Sequence, residues 1–146
     1  DLVRSRGLGD VYKRQFLCRG KRIDTGEWVQ GVPSYGEDGK IEEIEVWDGE
    51  DITFYPVFPG TICRCTGRTD RDEKLIFEHD VIAFLDTYST ESGYAEADCI
   101  GKVVWDDETM SFQVTNRLSA ESYEVLDECS VIGNAIDNPE LLEMRL

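Results

Sequence analysis

The sequence predicts a mainly β protein (a β-rich α+β fold) built from antiparallel strands. Two observations predict it: short segments alternate apolar and polar residues between turn-forming residues, and one helix start signal stands near the C-terminal end. We expect an N-terminal β lobe with a hairpin over residues 16–60. Residues 61–146 are expected to form a small SH3-like barrel followed by a short helix.

The N-terminal lobe is predicted to contain four strands. Phe16–Ile23 and Glu27–Gly31 flank a turn rich in Asp, Thr and Gly, which is typical of a hairpin. Lys40–Trp47 and Ile52–Phe58 are extended segments on either side of the acidic turn Asp48–Asp51. If the protein associates with itself, the hypothesis is that Phe16–Ile23 supplies an unpaired strand edge for the contact.

The C-terminal lobe begins with the predicted strand Thr61–Thr66, which places Cys63 and Cys65 on one face. Thr87–Gly93 is predicted as a polar loop, and Ser119–Asp127 fits either a helical turn or a strand. The other predicted strands of this lobe are Leu75–Phe77, Val81–Asp86, Ala97–Trp105, Phe112–Thr115 and Ser130–Ile136.

The terminal helix is predicted from Asn138 and Pro139, with Asn138 as N-cap and proline at the first helical position. The spacing of Gly101, Val103 and Trp105 is similar to the strand pattern of SH3-like barrels. Such barrels often bind peptides or nucleic acids through exposed aromatic residues, but a small barrel does not fix a function.

Charge limits the classes of partner. The net charge is −16 over 146 residues, which opposes binding to nucleic-acid phosphates and to anionic membranes. The longest apolar run is Val81–Leu85, too short to span a bilayer. Five scattered cysteines fit reduced thiols better than a disulfide framework, so a cytoplasmic location is expected.

Residues 1–15 differ from the rest of the chain, because they lack apolar alternation and do not begin with Met. They resemble translated adapter sequence, and we expect them to be an artefactual, disordered leader. The leader holds four basic and two acidic residues, a charge of +2. Since the whole chain carries −16, the remaining residues carry −18.

Three groups of motifs occur in the order found in a known family. They are Arg19–Arg22 with Gly26–Val29, then Thr66–Gly67 with Asp70, Ile76–Glu78 and Asp80–Val81, and last Gly101–Asp106 with Val131–Asn134 and Asn138–Leu142. Together they resemble the YopX family of phage and prophage proteins over nearly all of residues 16–146. The resemblance implies a phage-associated protein with a β-rich fold, encoded by a phage or prophage in a bacterial cell, and it brings no established catalytic residues.

Two turns depart from the family pattern. His79 stands where the family usually has Gly, and Asp72-Glu73 stand where it usually has Asn-Gly. Both replacements put a side chain where a positive φ is expected, so local strain or a different turn type is predicted.

Three arrangements invite catalytic or metal chemistry, and each has a simpler interpretation. Cys63 and Cys65 with His79 suggest zinc, yet four ligands at characteristic spacing are lacking and buried thiols are favoured. His79 could be a general base, but no nucleophile is identifiable beside it. A calcium loop starting at Asp70 would need Gly and Glu at the positions that Leu75 and Val81 occupy. No catalytic residue, metal ligand or cofactor is therefore predicted.

The leading hypothesis is a non-enzymatic accessory protein that binds another protein or itself. The candidate contact residues are Lys21, Arg22, Trp28 and Trp47. One alternative is an acidic mimic of DNA that inhibits a host nucleic-acid enzyme, based on the clusters at residues 42–45, 48–51 and 106–108. The other is a nucleic-acid-binding barrel, for which the near-cluster of basic residues is Lys21, Arg22, Arg64, Arg68 and Arg71.

Overall fold

The computed structural model describes residues 16–115, 122–124 and 128–143. The predicted leader and most of the ambiguous segment 119–127 lie outside these residues. The strands are β1 (Cys18–Lys21), β2 (Trp28–Tyr35), β3 (Ile41–Trp47), β4 (Ile52–Pro56), β5 (Cys63–Thr69), β6 (Leu75–Phe77), β7 (Asp80–Thr90), β8 (Gly93–Asp106), β9 (Ser111–Thr115), β10 (Ser122–Glu124) and β11 (Ser130–Asn134). One short 3-10 helix lies between β4 and β5 at Pro59–Thr61, and another follows β11 at Pro139–Glu143. The mainly β, antiparallel prediction is confirmed.

The chain divides into two compact units, Asp1–Gly67 and Arg68–Leu146. The boundary falls within β5, seven residues after the limit of 60 that the sequence suggested. One sheet has six strands in the hydrogen-bonded order β4-β3-β2-β1-β5-β6. The second unit holds a five-stranded sheet in the order β10-β9-β8-β7-β11.

The core of the first unit lies on one face of its sheet. Cys18, Ile44 and Val57 are 4%, 0% and 1% exposed and pack together. A Cβ added at Gly20 would lie 3.1 Å from the Cβ of Val57, so glycine lets β1 approach the chain that follows β4. That chain returns to β1, because Phe58 N–H donates to the carbonyl of Lys21 at 2.9 Å. β1 is therefore an interior strand between β2 and β5, and Phe16–Ile23 is not the unpaired edge that was predicted.

The core of the second unit lies against β7, β8 and β9. Its fully buried members are Ile76, Ile82, Val103, Val114 and Cys129, with Phe84 beside them. Trp105 is partly buried, and its ring meets that of Phe112 edge-on with centroids 5.0 Å apart. The indole N–H donates to the carboxylate of Asp107 at 2.8 Å, which satisfies the polar end of the ring.

The barrel prediction is wrong, because the described strands form an open sheet. Closure would require the terminal strands β10 and β11 to pair with one another, whereas β10 pairs with β9 and β11 pairs with β7. The long central strands account for the difference. β7 and β8 pair from Val81↔Lys102 to Thr90↔Gly93, but β9 covers only Lys102–Asp106 of β8.

The prediction of a polar loop over Thr87–Gly93 is also wrong. β7 continues to Thr90, and the chain turns at Glu91 and Ser92. Gly93 has a φ of +128°, which accommodates the tight reversal. The polar segment TYST is rich in β-branched and aromatic residues, and this strand propensity outweighed its polarity.

Two turns of the second unit confirm the expected positive φ angles. Glu73 has a φ of 64° and His79 a φ of 70°. The backbone of His79 bridges two neighbours, since its N–H donates to the carbonyl of Val103 and its own carbonyl accepts from Ala135, both at 2.8 Å. These bonds hold the turn in a conformation that a residue with a Cβ adopts at a cost.

The C-terminal helix is present as the 3-10 helix Pro139–Glu143. The role predicted for the side chain of Asn138 differs. Its Oδ1 accepts a hydrogen bond from the backbone N–H of Asn134 at 3.3 Å. This bond closes the turn that precedes the helix instead of capping the helix.

Candidate contact surface

One face of β2, β3 and β4 is turned away from the core of the first unit. Cross-strand partners share a face of a sheet, and alternate residues of a strand lie on opposite faces. Val32 pairs with Glu45, Glu45 with Phe54, and Trp47 with Ile52. These five residues therefore share the face opposite to buried Ile44, and we call them the β2–β4 face.

The β2–β4 face exposes large apolar side chains from three adjacent strands. Trp47 is 66% exposed, Ile52 54%, Phe54 49% and Val32 46%. Glu45 lies among them, with Val32 on one side and Phe54 on the other. Single exposed apolar residues are ordinary, but a contiguous group with a charged member is typical of an interaction surface.

A groove of about 540 Å³ adjoins this face. It is lined by Phe16, Leu17, Gln30, Gly31, Val32, Glu45, Val46 and Trp47. Gly31 is required there, because a Cβ at this position would overlap the carbonyl of Glu45. The close approach of β2 and β3 forms the floor, and Trp47 and Phe16 contribute exposed rings to it.

The hairpin that carries most of the β2–β4 face is acidic. Residues 41–58 contain Glu42, Glu43, Glu45, Asp48, Glu50 and Asp51 and no lysine or arginine, a charge of −6. Asp48 closes the turn by accepting the N–H groups of Glu50 at 2.9 Å and Asp51 at 2.8 Å. These hydrogen bonds lower the pKa of Asp48, so it remains ionised beside the apolar face.

The structure separates the four predicted contact residues. Trp47 belongs to the β2–β4 face, and Trp28 and Lys21 pair with each other farther along the same face of the sheet. Trp28 is covered by cations there, with the guanidinium of Arg19 4.9 Å and the Lys21 Nζ 5.4 Å from the ring centroid. These cation–π contacts occupy the ring that the sequence suggested for a partner.

Arg22 turns to the other side of the sheet. Its backbone forms an isolated β-bridge with core residue Val57. Its guanidinium carbon lies 4.5 Å from the centroid of the Tyr55 ring. Its guanidinium forms two bonds to Asp24, at 2.9 and 2.7 Å. The hydrogen bond to Asp24 raises the pKa of Arg22, and that to Arg22 lowers the pKa of Asp24. Arg22 is thus engaged within its own turn.

Sequence reasoning missed Val32, Ile52 and Phe54. The segment Ile52–Tyr55 does carry a period-2 signal, because Ile52 and Phe54 alternate with Thr53 and Tyr55. That pattern predicts a strand, but it does not say which face lies against the core.

The two cysteines considered for zinc are both buried in β5. Cys63 is buried and its thiol donates to the carbonyl of Thr61 at 3.2 Å, while Cys65 accepts the N–H of Gly67 at 3.4 Å. Across the described ranges, no three or more His, Cys, Asp or Glu residues come together as a possible metal site. Buried Cys63 and Cys65 act as small core residues.

A second groove, of about 430 Å³, lies on β7, β8 and β11. Leu85, Asp98, Cys99 and Ile132 line it. Burial, and then the charges of Asp86 and Asp98, raise the pKa of the Cys99 thiol, which makes it a weak nucleophile. Arg71 also lines the groove and donates to the carbonyl of Glu128 at 2.8 Å.

Some carboxylates of the acidic clusters considered for DNA mimicry form local hydrogen bonds. Asp106 accepts the N–H of Glu108 at 2.9 Å, as Asp48 does in the first unit. Asp107 accepts the indole N–H of Trp105. Asp48, Asp106 and Asp107 therefore have local structural roles.

These features define a mainly β protein with antiparallel sheets and an exposed apolar face on an acidic hairpin. The family model of the YopX protein matches residues 22–143, and the chain belongs to the YopX family. Protein EF1440 from Enterococcus faecalis is similar in structure, with a TM-score of 0.49, 19% identity, and coverage of 86% of this chain and 96% of that one. The search of curated proteins gives no match. Within the described residues, no helix is long and apolar enough to cross a membrane.

Proposed function

We propose that this protein is a non-enzymatic accessory protein of a phage or prophage that acts in the bacterial cytoplasm by binding another protein. The β2–β4 face is the contact surface. The observation that carries the proposal is the joint exposure of Val32, Trp47, Ile52 and Phe54 on three hydrogen-bonded strands.

The composition of this face supports a protein partner. Interface centres are enriched in tryptophan and phenylalanine, and few residues supply most of the binding free energy. Trp47 is the largest such residue here and also lines the groove. Its backbone pairs with Ile52 of β4, so it is ordered before binding and the entropy cost of association is reduced.

A binding role also fits the way in which the polar groups are used. Asp70 and Asp80 are buried carboxylates, and both accept backbone N–H groups. His79 is held through its backbone in a turn. These residues support the fold, which favours binding over catalysis.

Photocrosslinking tests the proposal. A benzophenone amino acid at position 47 is expected to capture a protein when the variant is expressed in the bacterial host. The same amino acid at Tyr94 is the matched control, because Tyr94 is 81% exposed but belongs to the second unit.

The capture must depend on the face itself. Val32→Asp should abolish the crosslinked band at position 47, since it places a charge in the apolar group, while Tyr94→Asp should leave it intact. Equal bands from positions 47 and 94, or no band from either, would contradict the proposed function.

A further inference from the structure

We infer that the partner supplies an extended segment rich in lysine or arginine, which pairs as an added strand with the open edge of β4. This inference rests on the proposed function, because it names the chemistry of the partner that the β2–β4 face binds. Added strands gain affinity from backbone hydrogen bonds and specificity from alternate side chains.

β4 is the terminal strand of its sheet, and the direction of its peptide groups can be derived. The N–H of Val57 donates to the carbonyl of Glu42 at 3.2 Å, on the side of β3. Peptide groups of an antiparallel strand alternate in direction along the chain. Thr53 and Tyr55 therefore bond to β3, while Ile52 and Phe54 turn their N–H and C=O groups to the open edge.

The length of the open edge is limited at one end. The carbonyl of Pro56 already accepts the N–H of Ile23 at 3.0 Å. Proline there also lacks an N–H, which is tolerated because position 56 faces away from β3. The available edge runs from the turn before Ile52 to Phe54, enough for a short added strand.

Charge selects the partner. The hairpin of residues 41–58 carries −6 with no basic residue, and Glu45 pairs directly with Phe54 on the outward face. A lysine or arginine on the added strand, beside Phe54, would approach the Glu45 carboxylate and cover the apolar face with its aliphatic stem.

The same charge excludes other occupants. A second copy pairing through β4 would bring two hairpins of −6 together, and like charges facing each other across an interface are unfavourable. Nucleic acid and anionic membranes carry phosphates, which the acidic hairpin repels. An extended cationic segment of another protein is the occupant that satisfies both the edge and the charge.

Synthetic peptides test the inference on the full chain. The probe is an end-blocked octapeptide that alternates lysine and valine. One control replaces lysine by glutamate, and a second keeps the lysine sequence but is N-methylated at every other residue so that one edge cannot pair. Binding is measured by the change of amide resonances at positions 52–54 and by fluorescence anisotropy.

The lysine peptide should bind and shift those resonances, and its affinity should fall at least tenfold between 50 and 300 mM salt. N-methylation should weaken binding by a further fivefold or more, since backbone bonds are lost. Phe54→Pro removes an outward N–H and should bind about fivefold more weakly than Phe54→Ala, which keeps it. Glu45→Gln should weaken binding, and Glu91→Gln in the second unit should not.

Equal binding of the glutamate and lysine peptides would overturn the inference, as would insensitivity to N-methylation. Dimerisation of the chain that Phe54→Pro abolishes would assign the edge to a second copy instead. If no peptide binds while position 47 still crosslinks a protein, the inference fails and the proposed function stands. If both experiments are negative, both fail.

Discussion

Replacing Asp70 by asparagine tests how the second unit fastens its first turn to its last strand. Asp70 is 5% exposed, and its carboxylate accepts three backbone N–H groups. Oδ1 accepts from Asp72 and Lys74, both at 2.9 Å, and Oδ2 accepts from Val131 at 2.9 Å. The first two bonds shape the turn, and the third reaches β11, 61 residues away.

The magnitude follows from the geometry of the amide. Asparagine can keep its oxygen at the Oδ1 position and accept the two turn bonds. Its NH₂ group then faces the N–H of Val131, so a hydrogen bond is lost and two donors oppose each other. A charge-assisted bond contributes about 1.5–3 kcal/mol, and we expect Asp70→Asn to lower the free energy of unfolding by about 2 kcal/mol. Asp72→Asn, on the exposed side of the turn, should change it by less than about 0.5 kcal/mol.

The effect should depend on pH. Burial raises the pKa of Asp70, but the bonds from Val131, Lys74 and Asp72 outweigh it, so the folded-state pKa lies below its ordinary value. A carboxyl with a depressed folded-state pKa stabilises the protein above the unfolded pKa of about 3.9, and this stabilisation is lost as the pH falls through the folded-state pKa. The difference between wild type and Asp70→Asn is therefore full at pH 7 and shrinks below about pH 4.

Guanidinium unfolding followed by circular dichroism at pH 7 and pH 3 measures both effects. A loss equal to that of Asp72→Asn at pH 7 would refute the role of the three bonds. A loss that stays constant down to acid pH would refute the dependence on ionisation.

Three further predictions concern His79, Gly101 and Cys99 of the second unit. His79→Gly should raise the melting temperature and His79→Val should lower it, because a φ of 70° suits glycine and strains a β-branched residue, and similar melting temperatures would contradict this. Gly101→Ala should lower the free energy of unfolding in guanidinium by about 1–3 kcal/mol, since the new Cβ would lie 2.9 Å from the carbonyl oxygen of Thr115 in β9. The control Gly60→Ala should leave the free energy of unfolding nearly unchanged, because its Cβ meets nothing within 4 Å. Alkylation of Cys99 should be slow at pH 8 and faster in Asp98→Asn, which removes a charge that raises the thiol pKa, and equal rates would exclude that electrostatic cause.

Local sequence signals predicted the elements well where one short-range rule decides the outcome. Leu75–Phe77 has the predicted bounds, and the positive φ angles at Glu73 and His79 follow from the turn pattern. Turn geometry is set by a few adjacent residues, so the sequence contains the information.

The barrel and the contact surface depend on long-range pairing, which no local pattern encodes. Whether β10 meets β11 is a property of the whole sheet, and β7 continues to Thr90 through the segment that was expected to be a loop. Trp28 was chosen as an exposed aromatic residue, but its register opposite Lys21 brings cations over its ring. The position of a side chain on a face becomes visible only once the register is known.

The register also explains how a strongly acidic protein can keep an apolar surface. Glu45 lies directly between Val32 and Phe54, so a partner that contacts these two apolar side chains also meets a carboxylate. Apolar partners without positive charge lose the hydration of that carboxylate and gain no ion pair in return. We therefore expect the β2–β4 face to attract a cationic strand and to reject other apolar surfaces, including its own copies. Neutralising Glu45 should weaken binding of a cationic strand and should make binding of other apolar surfaces less unfavourable. The specificity of this face is thereby linked to one residue.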